Sequence, residues 1–179
     1  MNRLILLVGS SASGKTSLAK ELAATINCNA ISLSEILRKQ AAKKGFSSLH
    51  DFFAAVGVEN AFAEIRVTCF NLIKLNLDKG TVVVDGVYDS KLFNSLKKSF
   101  EKELFVINVA ASRHIRKRRM ILRKKIGEKQ AVLRLRKSDA IKKTIGLFES
   151  IKYRDFTVRN SGNLNKSLEL IKQRIAKLK

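Results

Sequence analysis

Residues 9–17 read GSSASGKTS, and their types and spacing suit the binding of phosphate. Gly9 to Thr16 fits the pattern G-x-x-x-x-G-K-[ST], in which glycines let the backbone curl until its N–H groups point into one concavity. A helix that begins near Lys15 adds the positive end of its dipole to that anion site. Lys15 is expected to reach the β- and γ-phosphates of ATP, and the Thr16 hydroxyl to ligate Mg²⁺. The predicted nucleotide-binding residues are Gly9, Ser11, Ala12, Ser13, Gly14, Lys15, Thr16 and Ser17.

A carboxylate follows the clearest later strand, in the segment KGTVVVDG of residues 79–86. Asp85 ends the β-branched run of that segment. The carboxyl ends of parallel strands meet at one edge of a sheet, so Asp85 is expected beside the phosphate-binding loop. It is predicted to hold Mg²⁺ through water or to contact the acceptor of the phosphoryl group. A strand-end cap or a turn residue is the alternative role for Asp85.

Short apolar runs alternate with helical patterns along the chain, which is typical of βαβ units and a parallel sheet. Leu4–Val8 is one continuous run, and Leu18, Leu22 and Ile26 then recur at helical spacing. Further strands are predicted at 29–33, 81–85, 104–109 and 156–160. The pattern predicts one α/β domain over residues 1–179, with a central parallel sheet of about five strands between helical layers.

The composition excludes several classes of protein. A hydrophobic content of 45% with 28% charged residues is ordinary for a globular domain, and the apolar runs are too short to span a membrane. Cys28 and Cys69 form no disulfide or metal pattern, and both are expected to pack as small apolar side chains in a cytoplasmic protein. The N-terminal run does not resemble a signal peptide, because it leads directly into the glycine loop.

The net charge of +21 predicts attraction to polyanions, including nucleotides and nucleic acid. Arg116, Arg119 and Arg123 recur at i, i+3 and i+7 and therefore share one helix face. Such a face is destabilised by its own repulsion unless an anion neutralises it, and a triphosphate would serve. The alternative is a solvated or nucleic-acid-facing surface. Residues 112–125 contain no aromatic side chain on which bases could stack, so nucleic acid is not favoured.

The segment SLSEILRK of residues 32–39 resembles nucleoside-monophosphate kinases, which carry serine-x-glycine-aspartate-x-x-arginine after the second strand. Ser32, Ser34, Glu35 and Arg38 stand in the corresponding places. The resemblance implies that Arg38 binds the phosphate of the acceptor, and that Glu35 stands where the family has aspartate. A guanidinium fork suits a phosphate dianion better than a lysine does.

The second half of the chain resembles dephospho-CoA kinase and a related archaeal kinase family. The resemblance lies in VVVDGVYDSKLF (82–93), VAASRHIRKRRMILRKK (109–125), SDAIKKTIG (138–146) and FTVRNSGNLNKSLELI (156–171). It implies a three-layer P-loop kinase fold, with an acceptor-binding helical region at about 34–78 and a basic helical lid at about 113–146. Two family arginines are replaced, one near Tyr88 and one by Ser138, although Arg136 could reach the space beside Ser138.

Together, the residues and the resemblance predict an ATP-dependent kinase that transfers the γ-phosphoryl group to a nucleotide-like small molecule, as dephospho-CoA kinase does. A nucleoside monophosphate kinase, a nucleic-acid-associated ATPase or polynucleotide kinase, and a nucleotide-binding scaffold are the alternatives. The predicted catalytic residues are Lys15, Asp85, Glu35, Arg119 and Arg123. Arg116 is predicted to bind the nucleotide, and Thr16 and Asp85 to hold the metal. The acceptor is predicted to contact Glu35, Arg38, Arg66 and Gly86.

Overall fold

A parallel sheet of five strands lies at the centre of the computed structural model, which describes residues 2–178. The order across the sheet is β2-β3-β1-β4-β5, and all four neighbouring pairs are parallel. The prediction of an α/β domain with about five parallel strands is therefore confirmed. The strands are β1 (Leu4–Val8), β2 (Asn29–Ser32), β3 (Val82–Asp85), β4 (Leu104–Ala110) and β5 (Phe156–Arg159).

Helices connect and follow the strands, and local capping explains where several of them begin. The side chains of Ser48, Asp89, Ser112 and Asn163 each accept a hydrogen bond from a backbone N–H of the first turn that follows. The helices are α1 (Lys15–Thr25), α2 (Leu33–Lys43), α3 (Leu49–Val56), α4 (Val58–Lys79), α5 (Ser90–Ser99), α6 (Arg113–Lys124), α7 (Glu128–Thr144), α8 (Leu147–Lys152) and α9 (Leu164–Ala176).

Each face of the sheet packs against its own helical layer, because alternate residues of a strand point to opposite sides. Leu4 and Leu6 of β1 join one core with apolar residues of α2, α3, α4 and α5, while Ile5 and Leu7 join another with α1 and α9. Cys69 is buried in the first core, whereas Cys28 is only half-buried at the margin of the second. Within residues 2–178, no helix combines the length and apolar character needed to cross a membrane.

The direction in which the chain crosses the sheet reverses at β1, and this reversal positions the site. From β1 the chain moves to β2 and β3 on one side, and then to β4 and β5 on the other. The crevice at the carboxyl ends of β1, β3 and β4 is where open parallel sheets bind ligands. Asp85 is in register with Leu7, so the end of β3 lies beside the start of the loop that follows β1.

Helices α6 and α7 pack on each other and on that loop. Their small core contains Met120, Ala131 and Leu135, and Ala12 of the loop packs against it. We call these two helices the lid, which corresponds to the basic helical region predicted at about 113–146. The lid contacts the phosphate-binding loop directly, and its polar side chains therefore contribute to the site.

Candidate active site

The phosphate-binding loop connects β1 to α1 with a strongly curved backbone. Gly9 and Gly14 have φ angles of +136° and +97°, a region that side chains disfavour. Ala12 also has a positive φ, +59°, and it is a non-glycine residue held in the left-handed region. Gly14 is the N-cap of α1, so the N-terminus of that helix opens into the loop, as the sequence predicted.

Lys15 lies under the loop, with only 6% of its surface exposed. Its Nζ donates a hydrogen bond to the Ser10 carbonyl oxygen at 2.9 Å. Burial lowers the pKa of Lys15, although Asp85 and Asp139 act in the opposite direction. A phosphate in the loop would offset this loss of hydration, because it supplies the negative charge that a buried ammonium requires.

Thr16 and Asp85 are in direct contact at the mouth of the loop. The Thr16 hydroxyl donates to Asp85 Oδ2 at 2.5 Å, and Asp85 is buried. The other carboxylate oxygen, Asp85 Oδ1, is buried without a hydrogen-bond partner among residues 2–178. An unpartnered carboxylate oxygen beside a hydroxyl is a suitable donor set for Mg²⁺, which prefers one or two carboxylates together with phosphate and water. The residues thus fit the predicted metal.

The arginines of α6 face the phosphate-binding loop. Arg116 Nη1 donates to the Ser11 carbonyl at 3.2 Å and to Asp139 at 2.6 Å. Arg119 Nη1 donates to the Ser13 carbonyl at 2.8 Å, and burial lowers the pKa of its guanidinium. Arg123 Nη2 donates to the Met120 sulfur at 3.8 Å, and within residues 2–178 no hydrogen bond connects Arg123 to the loop. Arg116 therefore pairs with the carboxylate of Asp139. The anion that the sequence predicted for this helix face was a triphosphate.

Asn160 lies at the site although it was not among the predicted site residues. It follows β5, is 1% exposed, and donates from Nδ2 to the Ser13 carbonyl at 2.9 Å. Its side-chain and backbone oxygens accept from Arg119 at 3.1 and 3.2 Å. Asn160 thereby connects the end of β5 to both the loop and the lid. The signal that could have found it is the pattern N-x-G-x-L at residues 160–164, with which the last strand ends in the kinases that the segment resembles.

Helix α7 brings a second group of polar side chains to the loop. Asp139 Oδ1 accepts a hydrogen bond from the Ser11 backbone N–H at 3.1 Å, and the Ser138 hydroxyl lies 2.5 Å from the Ser11 hydroxyl. Lys142, one turn further along, is buried. Arg136, which the sequence analysis considered for this space, is exposed instead. The helix thus presents Ser138, Asp139 and Lys142 to the loop.

A second region of the crevice lies beside Tyr88, which is buried and shares a hydrogen bond of 3.2 Å with the Ser34 hydroxyl. Burial raises the pKa of the Tyr88 phenol. The exposed Arg38 lies close enough to Arg123 to contribute, after burial, to lowering the pKa of Arg123. Gly86 packs here as well, since a Cβ at that position would be 3.2 Å from the Tyr88 ring. Arg38, Arg123 and Gly86, all predicted site residues, therefore border one region.

Two predicted acceptor residues make their contacts elsewhere. Glu35 is half-exposed and its nearest ion-pair partner is Lys20 of α1, at 3.6 Å. Arg66 donates to Asp89 at 2.8 Å and to Glu59 at 3.1 Å, and the hydrogen bond that Asp89 accepts raises the pKa of Arg66. The Arg66–Asp89 pair joins α4 to the segment after β3, so the structure gives Arg66 a tertiary ion pair rather than a free guanidinium.

Asp139→Asn is expected to bind ATP more tightly than the wild type. The carboxylate occupies a backbone N–H of the phosphate-binding loop and neutralises Arg116, so it repels and competes with a triphosphate. Removing its charge should strengthen ATP binding by about 10-fold, the usual effect of one charge-assisted hydrogen bond. Titration calorimetry with Mg·ATP measures the dissociation constant of ATP.

Glu128→Gln is the control, since Glu128 lies on the same helix, is exposed, and pairs with Lys117 outside the loop. Weaker binding by Asp139→Asn would instead show that Asp139 positions Arg116 for the nucleotide.

Comparison with solved structures reveals the same fold in several proteins, among them a shikimate kinase and a gluconokinase. The shikimate kinase from Acinetobacter baumannii in complex with shikimate is 16% identical, with a TM-score of 0.67 over 100% of this chain and 97% of that chain. TT1252 from Thermus thermophilus has the same identity, 16%, and the same TM-score, 0.67, over 99% and 98% of the two chains. A gluconokinase from Sinorhizobium meliloti, also 16% identical, has a TM-score of 0.59 over 98% of this chain and 93% of that chain.

Comparison with protein sequences adds a relative and a family. The chain is 28% identical over 181 residues to the UPF0200/UPF0201 protein of Archaeoglobus fulgidus, a match that covers 98% of this chain and 56% of that protein. The chain thus spans about half the length of this relative. The AAA domain family matches residues 8–134, from the end of β1 into α7. The predicted resemblance to P-loop kinases is confirmed at the level of the fold, while the narrower one to dephospho-CoA kinase stays a prediction. The match to the AAA domain family, over residues 8–134, covers more than half of the sequence. The chain therefore belongs to the AAA domain family, and its fold is that of the P-loop kinases.

Proposed function

We propose that the protein is an ATP-dependent kinase that transfers the γ-phosphoryl group to an anionic, nucleotide-like small molecule, in the manner of dephospho-CoA kinase. One observation carries the proposal. The buried Lys15, the Thr16–Asp85 contact and the arginines of α6 converge on one loop at the edge of the sheet. Phosphoryl transfer depends chiefly on such positioning and on stabilisation of charge.

The donor side of the site would hold ATP. Backbone N–H groups of the loop and the N-terminus of α1 bind the phosphates, while Lys15 and Arg119 neutralise charge that develops on the transferred group. Thr16 and Asp85 would hold Mg²⁺, which would supply positive charge to the phosphates. Arg116 would exchange its contact with Asp139 for a phosphate oxygen, which is the exchange that the Asp139→Asn experiment measures.

The transfer breaks the bond between the γ-phosphorus and the β,γ-bridging oxygen, whose electron pair stays on ADP. A new bond forms between the γ-phosphorus and an oxygen of the acceptor. An acceptor hydroxyl must lose a proton. The two bases expected from the sequence are Asp85, whose carboxylate is also assigned to Mg²⁺, and Glu35, whose side chain pairs with Lys20. An ionised phosphate acceptor needs no base.

The acceptor side favours an anion. Arg38 and Arg123 are close enough for their charges to interact, and neither has a carboxylate partner among the described residues. Two neighbouring guanidiniums without an acid repel each other, and an anionic group between them removes that cost. A phosphate, as in dephospho-CoA or a nucleoside monophosphate, and a carboxylate, as in the shikimate bound by the Acinetobacter kinase, both meet this requirement.

A panel of acceptors tests the proposal. ADP release from Mg·ATP is measured with dephospho-CoA, each nucleoside monophosphate, shikimate and a 5′-hydroxyl oligonucleotide. We expect one anionic small molecule to accelerate ADP release strongly, and Arg38→Ala to raise KM for that molecule while KM for ATP stays near the wild-type value. Lys39→Ala, which removes the exposed neighbouring charge, is the matched control.

The same panel separates the alternative functions. Stimulation by the oligonucleotide, with affinity that falls steeply as salt rises, would favour a nucleic-acid kinase or ATPase, since many phosphate contacts release many counterions. ATP binding with no response across the panel would contradict the proposed acceptors and favour a nucleotide-binding scaffold. A response to a nucleoside monophosphate rather than dephospho-CoA keeps the reaction type and changes the substrate.

A further inference from the structure

Lys142 is a buried cation that the predicted site did not include. It lies in α7 with 9% of its surface exposed. Its Nζ lies 4.7 Å from the centroid of the Tyr88 ring, and within residues 2–178 no hydrogen bond or ion pair involves Lys142. Buried lysines are rare and are usually paired, because an ammonium without a nearby anion loses its hydration uncompensated.

The neighbours of Lys142 belong to both halves of the site. Electrostatic interactions connect it with Lys15, Asp85, Asp139 and Arg116 around the phosphate-binding loop. On the other side it contacts Tyr88, whose hydroxyl reaches Ser34 and whose phenol interacts with Arg38. The ammonium therefore lies between the proposed donor phosphates and the proposed acceptor region.

The sequence of α7 explains how a lysine reaches this position. Ser138 and Lys142 are one turn apart and share a helix face. Because the side chain of Ser138 is small, α7 can lie close to the phosphate-binding loop, and the hydroxyls of Ser138 and Ser11 are 2.5 Å apart. Lys142 is then long enough to extend past the loop toward Tyr88. Lys143, the next residue, lies on the solvent side and is exposed.

The electrostatics around Lys142 call for an additional anion. Burial, followed by the charge of Lys15, holds the pKa of Lys142 well below its usual range, although Asp85 and Asp139 act in the opposite direction. Around Lys142 there are three cationic side chains, Lys15, Arg116 and Lys142 itself, but only two carboxylates, Asp85 and Asp139. A phosphoryl group carried between donor and acceptor would supply the missing negative charge at this place.

We propose that Lys142 is a further catalytic residue, whose ammonium binds a non-bridging oxygen of the γ-phosphoryl group as it passes from ATP to the acceptor. The inference rests on the proposed function and assigns Lys142 to the transferred group rather than to ADP. Lys142 gives up no proton in this role. It orients the phosphoryl group and offsets its charge, which strengthens as the bond to ADP breaks.

Paired binding measurements test this assignment without an acceptor. The dissociation constants of Mg·ADP and of the non-hydrolysable ATP analogue Mg·AMP-PNP are measured by calorimetry for the wild type, Lys142→Met and Lys143→Met. We expect Lys142→Met to keep its affinity for ADP and to lose about 10-fold or more of the preference for AMP-PNP, as for one lost hydrogen bond to a charged group. Lys143→Met removes the same charge from the adjacent exposed position and should behave as the wild type.

A structural role for Lys142 gives different results. If Lys142 only packs against Tyr88, Lys142→Met conserves that packing and keeps the preference for AMP-PNP, which would overturn the assignment. If Lys142→Met fails to bind ADP, Lys142→Arg decides. If Lys142→Arg restores both ADP binding and the preference for AMP-PNP, the contact with the γ-phosphoryl group is supported. If Lys142→Arg also fails to bind ADP, Lys142 has a structural role and the assignment is overturned. If Lys142→Met loses the preference for AMP-PNP and no acceptor of the panel stimulates ADP release, the contact of Lys142 with the γ-phosphoryl group is supported. Only the proposed kinase reaction is then contradicted.

Discussion

Lys15→Ala is expected to abolish ATP-dependent turnover while leaving the protein folded. Lys15 is buried beneath the phosphate-binding loop, and its Nζ is bonded only to the Ser10 carbonyl within residues 2–178. The loss of one preorganised charge at the transferred group lowers kcat by about 10²–10³-fold, and the loss of its contact with the phosphates weakens binding in addition. The folded state should lose little stability without nucleotide, because burial disfavours the charged ammonium.

Thermal unfolding with and without nucleotide measures both expectations. At a concentration of 100 times Kd, ATP stabilises the wild type by about 2.7 kcal/mol, and the same concentration should stabilise Lys15→Ala far less. Lys74→Ala, which removes an exposed lysine from α4, is the control for the change in net charge. ATP-dependent stabilisation and turnover of Lys15→Ala at wild-type levels would contradict both the nucleotide site and the proposed reaction.

Gly9→Ala is expected to destabilise the fold itself. A Cβ at this position would lie 2.5 Å from the Val109 carbonyl oxygen, which belongs to the backbone of β4 and cannot move aside. The φ of Gly9, +136°, is also unfavourable for alanine. Strained backbone and overpacking together cost about 2–5 kcal/mol. The midpoint of thermal unfolding should therefore fall by about 5–15 °C for a domain of this size.

Two other glycines separate the causes of that loss. Gly45 has a φ of +82° but nothing within 4 Å of its added Cβ, so Gly45→Ala should show the backbone cost alone. Gly80 is extended, with nothing within 4 Å of its Cβ, and Gly80→Ala should be close to neutral. Urea unfolding of the three variants ranks them. A Gly9→Ala variant no less stable than Gly45→Ala would show that the close approach of β1 and β4 is relaxed in solution.

Much of the fold could be read from the sequence, because it depends on local patterns. The apolar run of Leu4–Val8 predicts a buried parallel strand, and the glycine pattern after it predicts a turn that binds phosphate. The β-branched run before Asp85 likewise locates β3 and places a carboxylate at its end. Strand 29–33 was one residue too long, since Leu33 begins α2. Element ends depend on caps whose partners the sequence does not reveal.

The partners of charged side chains were decided only by the tertiary structure. Arg66 carries the same charge as Arg119, yet one pairs with Asp89 and the other contacts the loop. Helical spacing places the arginines of α6 on one face, but it does not show which anion neutralises them, and Asp139 is 23 residues from Arg116. An ion pair or a hydrogen bond forms only where two groups approach within a few ångströms, and sequence separation carries no information on such distances.

What the sequence alone determined is the loop with the phosphate-binding pattern, because such a loop is a continuous segment whose chemistry is mostly its own backbone. The tertiary structure decided what surrounds it: Asn160 from the end of β5, Asp139 from the lid, and Lys142 beside Tyr88. All three lie in segments that resemble the kinase family, 138–146 and 156–171, but the prediction assigned a role to none of them. They join the site only because the crossovers of a parallel sheet bring strand ends and the lid to one edge.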